Sequence, residues 1–562
     1  MKNKLLKTWT FLLMIPSIAL SQSIVNSVHN LSVTGPGTVK ASSESEICVF
    51  CHTPHKSSPR KPLWNREDPG LTYTIYGSST TQASPGQPDG ASLLCLSCHD
   101  GTIALGNVLS KPAPIEFSGG ITMMPSGNKN LSTDLSDDHP VSFLYNSALS
   151  AADGELSDPA VLTGPVKLAN ERVQCTSCHD PHVDLYGQFL VATNQNSDLC
   201  LYCHQKNDWV NSSHKNSIAT WNGSGNDPWF HTPYANVAEN GCENCHNPHN
   251  SESHDRLLNS LTEENNCLDC HNGNVAAKNI QTIITTKPYI HDVYNYAGVH
   301  DPEENIPVQN RHVECEDCHN PHSSKLSAAT APNANGFIAG TSGLNTNGTA
   351  VETVQYQYEL CYKCHADSPD KPGSPTIRLI EQSNTRLEYD PANPSYHPIE
   401  AVGKNPNVLS MISPYTASSI IYCTHCHASD GTGAPAGPHG SIYPQILKYQ
   451  YVTADYTTES YDNYRLCYEC HNRNTIINSS GSFARKVHWR HIVAEDTPCN
   501  VCHDPHGISS LQGNATNNTH LINFDVSVVF PSGTRLEFID QGSSRGSCYL
   551  VCHGEDHDPK TY

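Results

Sequence analysis

The stretch that decides the fold is GCENCHNPHN at residues 241–250. Two residues separate Cys242 from Cys245, His246 follows directly, and His249 comes three residues later. Two thiols and two imidazoles in so short a segment are compatible with a zinc site, a redox-active dithiol or an attachment site for haem. The number of times that the pattern recurs decides between these possibilities.

The pattern recurs through the whole chain, and we number its copies motif 1 to motif 12 in chain order. Eleven copies read Cys-x-x-Cys-His, whereas motif 12, CYLVCH at 548–553, has three residues between its cysteines. Twelve copies with two cysteines each account for all 24 cysteines of the chain. The cysteines are Cys48 and Cys51, Cys95 and Cys98, Cys175 and Cys178, Cys200 and Cys203, Cys242 and Cys245, Cys267 and Cys270, Cys315 and Cys318, Cys361 and Cys364, Cys423 and Cys426, Cys467 and Cys470, Cys499 and Cys502, and Cys548 and Cys552.

Only covalent haem c explains every position of the repeat. A tetrahedral zinc site does not need a histidine after every second cysteine, and a disulfide scaffold leaves the histidines unexplained. Thioredoxin-like dithiols occur singly in a βαβ context, which is absent here. In haem c, two cysteines form thioether bonds and the following histidine binds the iron as the proximal ligand. The sequence therefore predicts twelve haems, with proximal ligands His52, His99, His179, His204, His246, His271, His319, His365, His427, His471, His503 and His553.

A second set of histidines predicts the sixth ligands of the irons. The motifs form six pairs, and five first motifs continue as CHxPH, in which the second histidine lies too close to the first to reach the opposite face of the same iron. We therefore predict that it binds the iron of a neighbouring haem. These histidines are His55, His182, His249, His322 and His506, with His439 after a longer loop in the fifth pair. A surface or capping role beside a proline turn is the alternative.

Another histidine lies upstream of each pair and completes a predicted set of twelve distal ligands. These are His29, His139, His231, His300, His397 and His488, with His291 as a rival to His300. The remaining histidines are predicted to be structural, although any of them could replace a neighbour as a ligand: His214, His254, His291, His312, His425, His491, His520 and His557. Because few methionines compete, bis-histidine ligation is expected throughout.

Composition and charge support an exported haem protein. Residues 1–21 predict a signal peptide, with three lysines before an apolar run at 9–20 and the small residues Ala19 and Ser21 before the cleavage site. No later apolar run is long enough for a transmembrane helix. The net charge of −22 argues against binding to nucleic acid.

The composition predicts a chain that wraps its cofactors. Only 37% of the residues are hydrophobic, whereas 36 are glycine and 38 are proline, which is poor material for a conventional core. We expect a multihaem cytochrome c fold, mostly irregular coil with short α-helices around a stacked haem chain and few β-hairpins. One hairpin is predicted near the C-terminus, from the runs HLINFDVSVVF and TRLEFID. The predicted haem-pair segments are 22–130, 131–225, 226–285, 286–380, 381–483 and 484–562.

The alternation CxxCHxPH…LCxxCH, the opening HNLSVTGPG…CVFCHTPH and the closing HLINFD…CHGEDHDPKTY resemble the doubled-CXXCH multihaem cytochromes of bacteria. That family includes outer-surface cytochromes of metal-reducing species, some of which polymerise into extracellular filaments. The resemblance implies electron transfer at the outer cell surface or outside the cell, with the periplasm as the alternative. The implied partners are other redox proteins, extracellular electron acceptors and further copies of the chain in head-to-tail contact.

Two function classes follow from the ligand count. A conduit needs closely spaced, six-coordinate irons, whereas a reductase for nitrite, hydroxylamine or a sulfur oxyanion needs at least one iron with an open face. All twelve motifs carry a histidine, and twelve further histidines are available as sixth ligands. The sequence therefore favours an electron-transfer protein without a catalytic residue, with the reductase as the alternative.

Overall fold

The structure is a computed structural model that describes residues 23–58, 61–296, 298–480, 487–543 and 545–561. The predicted signal peptide at 1–21 lies outside the described residues. The chain divides into two compact units. Unit 1 comprises Met1–Gly77, Thr81–His204 and Pro248–Asn250, and unit 2 comprises Ser78–Thr80, Gln205–Asn247 and Ser251–Tyr562, each as far as it is described. The division into six haem-pair segments stays a prediction.

The helices of the described chain are short, because glycine, proline and the motifs interrupt every run of helix-forming residues. The longest α-helix has ten residues. The α-helices are Gly90–His99, Ser147–Asp153, Cys175–Cys178, Ser213–Asn216, Val237–Asn240, Glu263–Leu268, Ile280–Thr286, Cys315–Cys318, Gln357–His365, Thr385–Glu388, Arg465–Tyr468 and Arg473–Ile476. Single 3₁₀ turns carry five further motifs: Cys48–Phe50, Cys200–Tyr202, Gly241–Asn244, Cys423–His425 and Cys499–Val501.

The strands are equally short except near the C-terminus of unit 2. Two-residue pairs join Thr74–Ile75 to Asp134–Leu135, Tyr289–Ile290 to Gly440–Ser441, Gly343–Leu344 to Ala350–Val351, and Ser395–Tyr396 to Gly507–Ile508. A four-stranded antiparallel sheet contains Val529–Phe530, Glu537–Gly542, Arg545–Cys552 and Glu555–Thr561. Arg545–Cys552 is its central strand, paired with the other three.

The apolar side chains form several small clusters in place of a single core. Most of these clusters include motif cysteines; one packs Val49, Phe50 and Phe117 beside Cys51 and Cys98. Short helices, small sheets and extensive coil confirm the predicted multihaem cytochrome fold class. Within the described ranges, no helix combines the length and the apolar composition required to cross a bilayer.

The C-terminal hairpin differs from its prediction. Val529–Phe530 and Glu537–Gly542 are strands, but both pair with Arg545–Cys552 and not with each other. The strand with which both pair is the one that carries motif 12, which the hydrophobic pattern of the two predicted runs did not include.

Candidate haem attachment and iron-ligand sites

One helical turn presents each regular motif. In nine motifs the backbone N–H of the histidine donates to the carbonyl of the first cysteine, four residues earlier, at 2.8–3.0 Å. His99 and His365 occupy the last turns of longer helices. Because residues three and four apart share one face of a helix, both thiols and the imidazole point to the same side. This is the arrangement that two thioether bonds and one axial ligand require.

Eleven pairs of histidine rings face each other at nearly constant separation, with ring centroids 6.0–6.3 Å apart. The pairs are His29 with His99, His52 with His182, His139 with His204, His179 with His249, His214 with His271, His246 with His322, His291 with His365, His319 with His439, His427 with His506, His488 with His503, and His491 with His557.

The separation does not depend on the twist between the rings. The interplanar angle ranges from 8° to 83° across these pairs, while the centroid distance changes by only a few tenths of an ångström. Rings in direct contact would approach more closely when parallel than when perpendicular. Two metal–nitrogen bonds of about 2 Å, plus the radius of an imidazole at each end, account for roughly 6 Å at any twist. The paired rings therefore fit one iron between them.

The pairs obey two rules. In the first five pairs of motifs, the histidine of the first motif faces the second histidine of CHxPH, or His439, from the next pair along the chain: His52 faces His182, and His319 faces His439. In the sixth pair, His503 faces the upstream His488 instead. In the first four pairs, the histidine of the second motif also faces an upstream histidine: His99 faces His29. The two histidines of the opening stretch thus have different partners, as its spacing predicts. His246 faces His322 within unit 2, and His249 faces His179 within unit 1.

A recurring loop orients the histidines of the first motifs. The Nδ1–H group of each donates to a backbone carbonyl at 2.8–2.9 Å, for His179, His246, His319, His427 and His503. In four of these loops the accepting residue and its apolar successor both have positive φ, as Gln188 and Phe189 do. Such conformations cost energy in residues other than glycine. The bond directs the other nitrogen, Nε2, towards the facing histidine.

Sequence reasoning missed these loops, although a signal for them exists. A polar residue followed by two apolar residues recurs after the first motifs, as QFL at 188–190, RLL at 256–258, QIL at 445–447 and HLI at 520–522.

Two of the facing histidines donate to carboxylates in place of carbonyls. His249 Nδ1 lies 2.9 Å from Asp138 Oδ1, and His506 Nδ1 lies 3.0 Å from Glu388 Oε2. Burial alone would lower both pKa values, but the carboxylates outweigh it and raise the pKa of His249, and that of His506 to about 9. These two imidazoles are therefore electron-richer than those that donate to carbonyls.

Burial favours the neutral form of several other paired imidazoles. Burial, followed by the proximity of the facing histidine, lowers the pKa of His322 and of His503 to about 3, and that of His271 to about 4. A metal ligand must present a neutral imidazole nitrogen with its lone pair available. The protein therefore holds these side chains in the form that binds iron.

Within each unit, the thiols of motifs that follow one another along the chain lie close together in space. Burial and then the thiol of Cys98 raise the pKa of Cys51, and Cys178 and Cys203 are related in the same way. Hydrogen bonds between thiols link a second motif to the first motif of the next pair. These bonds join Cys95 to Cys175, Cys267 to Cys315, Cys361 to Cys423, and Cys467 to Cys499. Haem attached through these sulfur atoms would be held by thioether bonds, and the contacts between the cysteines would then bring the edges of successive haems together.

An apolar cleft lies beside motif 3. It is bordered by Cys175, His249 and side chains such as Leu96 and Leu135. The cleft thus adjoins one attachment cysteine and one of the two facing histidines of motif 3. Cofactor sites are typically concave and mostly apolar, with few polar groups.

Some predicted distal ligands lie elsewhere. Within the described residues, no histidine ring faces His55, His231 or His300 at the spacing of the pairs. His55 is exposed, and Nε2 of His231 lies 3.1 Å from the carbonyl oxygen of Glu243. His300 is buried, and its Nδ1 donates to Glu314 Oε2 at 3.2 Å. Burial alone would lower the pKa of His300, but the carboxylates of buried Glu314 and Asp317 outweigh it and raise that pKa.

Two histidines that were predicted to be structural stand in facing pairs instead. His214 faces His271, and His291, the rival to His300, faces His365. His397 is half-buried and lies near His471; after burial of His471 itself, the proximity of His397 helps to lower the pKa of His471 to about 4. The facing pair that remains is His491 with His557, so neither His471 nor His553 stands in a facing pair of the described chain.

Comparisons with known proteins agree with this geometry. Residues 167–208 match the doubled CXXCH motif family, and residues 234–393 match the outer membrane cytochrome MtrC/MtrF-like family, domains II/IV. No curated protein sequence matches the chain. Both matches are consistent with a multihaem c-type cytochrome that carries doubled CXXCH motifs, as the sequence resemblance implies. The paired motifs indicate covalent binding of haem c, and the matched families suggest an electron-transfer cytochrome.

Proposed function

We propose that the protein carries twelve haems, each with two histidine ligands, and acts as an extended electron conduit. The observation that supports this most directly is the combination of eleven facing histidine pairs with motif thiols that are neighbours in chain order. Bound haem supplies a one-electron iron couple. The paired histidines hold that iron from both faces, which favours electron transfer with little ligand rearrangement.

The proposed ligands are the eleven facing pairs together with His397 and His471. Nδ1 of His471 lies 2.9 Å from Ser410 Oγ, and Nδ1 of His397 donates to the carbonyl of Pro505. Both rings can therefore direct Nε2 to one iron. This set omits His55, His231 and His300 from the distal ligands predicted from the sequence, and His553 from the predicted proximal ligands.

The same ligand set argues against the alternative, a multihaem reductase for nitrite, hydroxylamine or a sulfur oxyanion. Such an enzyme needs an iron with an open face, whereas the proposed set closes both faces of all twelve. Electron paramagnetic resonance of the oxidised protein tests this, and we expect only low-spin iron. A stoichiometric high-spin haem that binds nitrite or cyanide would favour the reductase.

We infer that electrons enter or leave at motif 1. Cys48 is exposed while the other motif cysteines are partly or fully buried. His52 is exposed, and the side chain of its facing partner, His182, is 60% exposed. A haem edge that solvent reaches can exchange electrons with a redox protein, an extracellular acceptor or another copy of the chain.

We propose export to the outer cell surface or beyond, with head-to-tail association of copies. The predicted signal peptide and the match to an outer membrane cytochrome family support the location. The exposed site near one end of the chain and a motif near the other support end-to-end contact, which would form an open filament if the contact does not close a ring. Electron microscopy of sheared extracellular material with haem staining tests both proposals. A monodisperse monomer confined to the periplasm would contradict them and leave the cytochrome assignment intact.

A further inference from the structure

Motif 12 lies on a β-strand, whereas every other motif lies on a helical turn. Cys548 and Cys552 both belong to the strand Arg545–Cys552 at the centre of the C-terminal sheet. Side chains in a strand alternate between its two faces, so residues two and four apart share a face. Three intervening residues therefore put both cysteines on one face, which the usual two intervening residues would not do.

The face that carries the cysteines is buried. Cys548, Leu550 and Cys552 all pack in one apolar cluster with Cys502 of motif 11. His553 follows Cys552 directly and ends the strand with a positive φ of 50°. It therefore lacks the helical turn that places the histidine beside the cysteines in the other motifs.

His553 is bound to other groups. Its Nε2 lies 3.0 Å from both carboxylate oxygens of Asp455, and its ring lies 4.6 Å from the ring of Tyr456, with 16° between the planes. In the regular first motifs Nδ1 is tied to the backbone and Nε2 is directed to the facing histidine. In His553 the nitrogen that would bind iron is the one engaged by the carboxylate.

His557 occupies the position that an iron ligand requires. It lies on the neighbouring strand Glu555–Thr561, directly opposite Leu550. Residues directly opposite in an antiparallel pair project to the same face, so His557 joins the face of the two cysteines. It is 5% exposed, and its ring centroid lies 6.2 Å from that of His491, within the range of the other facing pairs.

We propose that His557, and not His553, binds the iron of the haem attached to Cys548 and Cys552, with His491 on the opposite face. This proposal rests on the proposed function, since it assigns ligands to its twelfth haem. Nδ1 of His491 lies 3.0 Å from the carbonyl of Val487, which directs its Nε2 away from the backbone as in the other pairs. His553 is then a structural residue that ties the end of the strand to Asp455.

The test replaces His557 with glycine in the full-length protein and measures haem content by mass spectrometry and spin state by electron paramagnetic resonance. We expect His557→Gly to turn one haem in twelve high-spin, and added imidazole to restore the low-spin signal. His553→Asn should leave every haem low-spin. His254→Gly, the same change at an exposed histidine, is the control.

Three outcomes overturn the proposal. They are an unchanged spectrum for His557→Gly, a high-spin haem in His553→Asn with full haem content, and a wild-type protein with no haem on motif 12. Should His553→Asn impair attachment, His557→Gly with imidazole rescue still decides the question. Failure of the proposed function would give a different spectrum, because high-spin haem would then appear in the wild-type protein.

Discussion

The carboxylate of Asp138 should lower the reduction potential of one haem, and its removal should raise it. Asp138 is buried, and its Oδ1 accepts a hydrogen bond from His249 Nδ1 at 2.9 Å. Its negative charge stabilises the oxidised iron relative to the reduced iron. Asp138→Asn keeps an oxygen acceptor for the imidazole and the nearby backbone N–H of Asn250 but removes the charge.

The size of the effect follows from the distance between the charge and the iron. The carboxylate acts through the width of one imidazole, so the separation is roughly 7 Å, and at an effective dielectric constant of about 20 the interaction is about 2.4 kcal/mol. For a one-electron couple, 59 mV corresponds to a tenfold change in the equilibrium constant, so the potential should rise by about 100 mV. Averaged over twelve haems, the mean potential rises by roughly 8 mV, which makes a site-resolved measurement necessary.

A redox titration followed by electron paramagnetic resonance can resolve the single haem that moves. Glu116→Gln removes an exposed carboxylate that water and salt screen, and it should leave all potentials unchanged. Glu388→Gln, at the second carboxylate–histidine pair, should repeat the rise for the haem ligated by His506, since its oxygen lies 3.0 Å from Nδ1. A fall in potential, or a change below about 20 mV in both variants, would refute the electrostatic argument.

Three further predictions concern stoichiometry, ligation and stability. Mass spectrometry of protein matured in a competent host should show twelve haems, and a reproducible eleven would contradict the proposed count. His182→Ala should give one high-spin haem that binds cyanide, detectable in visible spectra; unchanged spectra would remove His182 from the ligand set. Lys363→Met removes the nearest ion partner of buried Asp317, at 2.7 Å, and should lower the free energy of unfolding in urea by about 3–5 kcal/mol. The partly exposed pair Arg465–Glu469 gives the control, Glu469→Gln, which should change it by less than about 0.5 kcal/mol, and equal effects would contradict the argument.

Local chemistry made the motifs and the second histidine of CHxPH predictable from the sequence. A spacing of three or four residues determines the face of a helical turn, so the relation between thiols and imidazole follows without knowledge of the tertiary fold. The three-residue separation of His246 and His249 likewise excludes one shared iron. Pairing with a neighbouring haem was therefore available from the sequence.

The upstream histidines were less predictable, because sequence distance limits their reach but does not choose among them. His300 precedes the first cysteine of motif 7 by 15 residues and His291 precedes it by 24 residues. The carboxylates of Glu314 and Asp317, within or just before that motif, pair with His300. His291 is therefore the histidine that faces His365. This choice depends on tertiary contacts.

The tetrapeptide TRLE shows the same limit for secondary structure. At 385–388 it is the helix Thr385–Glu388, whereas at 534–537 it leads from a tight turn into the strand Glu537–Gly542. Identical local propensity thus gives two structures, because the second copy has a neighbouring strand with which to pair. The hydrophobic pattern detected strands near the C-terminus but could not identify their partners.

The ligand pattern also explains how a chain with little apolar material can fold. If the first-motif irons of the first five pairs each take their second ligand from the next pair, these five haems cross-link consecutive pairs; His52 and His182 would close a loop of about 130 residues. Cross-links that close long loops remove the most entropy from the unfolded chain, which can offset the strain of left-handed residues such as Gln188 and Phe189. The cross-links join only neighbouring pairs, so stability should propagate along the chain as it does in repeat proteins. Loss of one haem should then loosen the adjoining pairs first, and a protease should cut there before it cuts elsewhere.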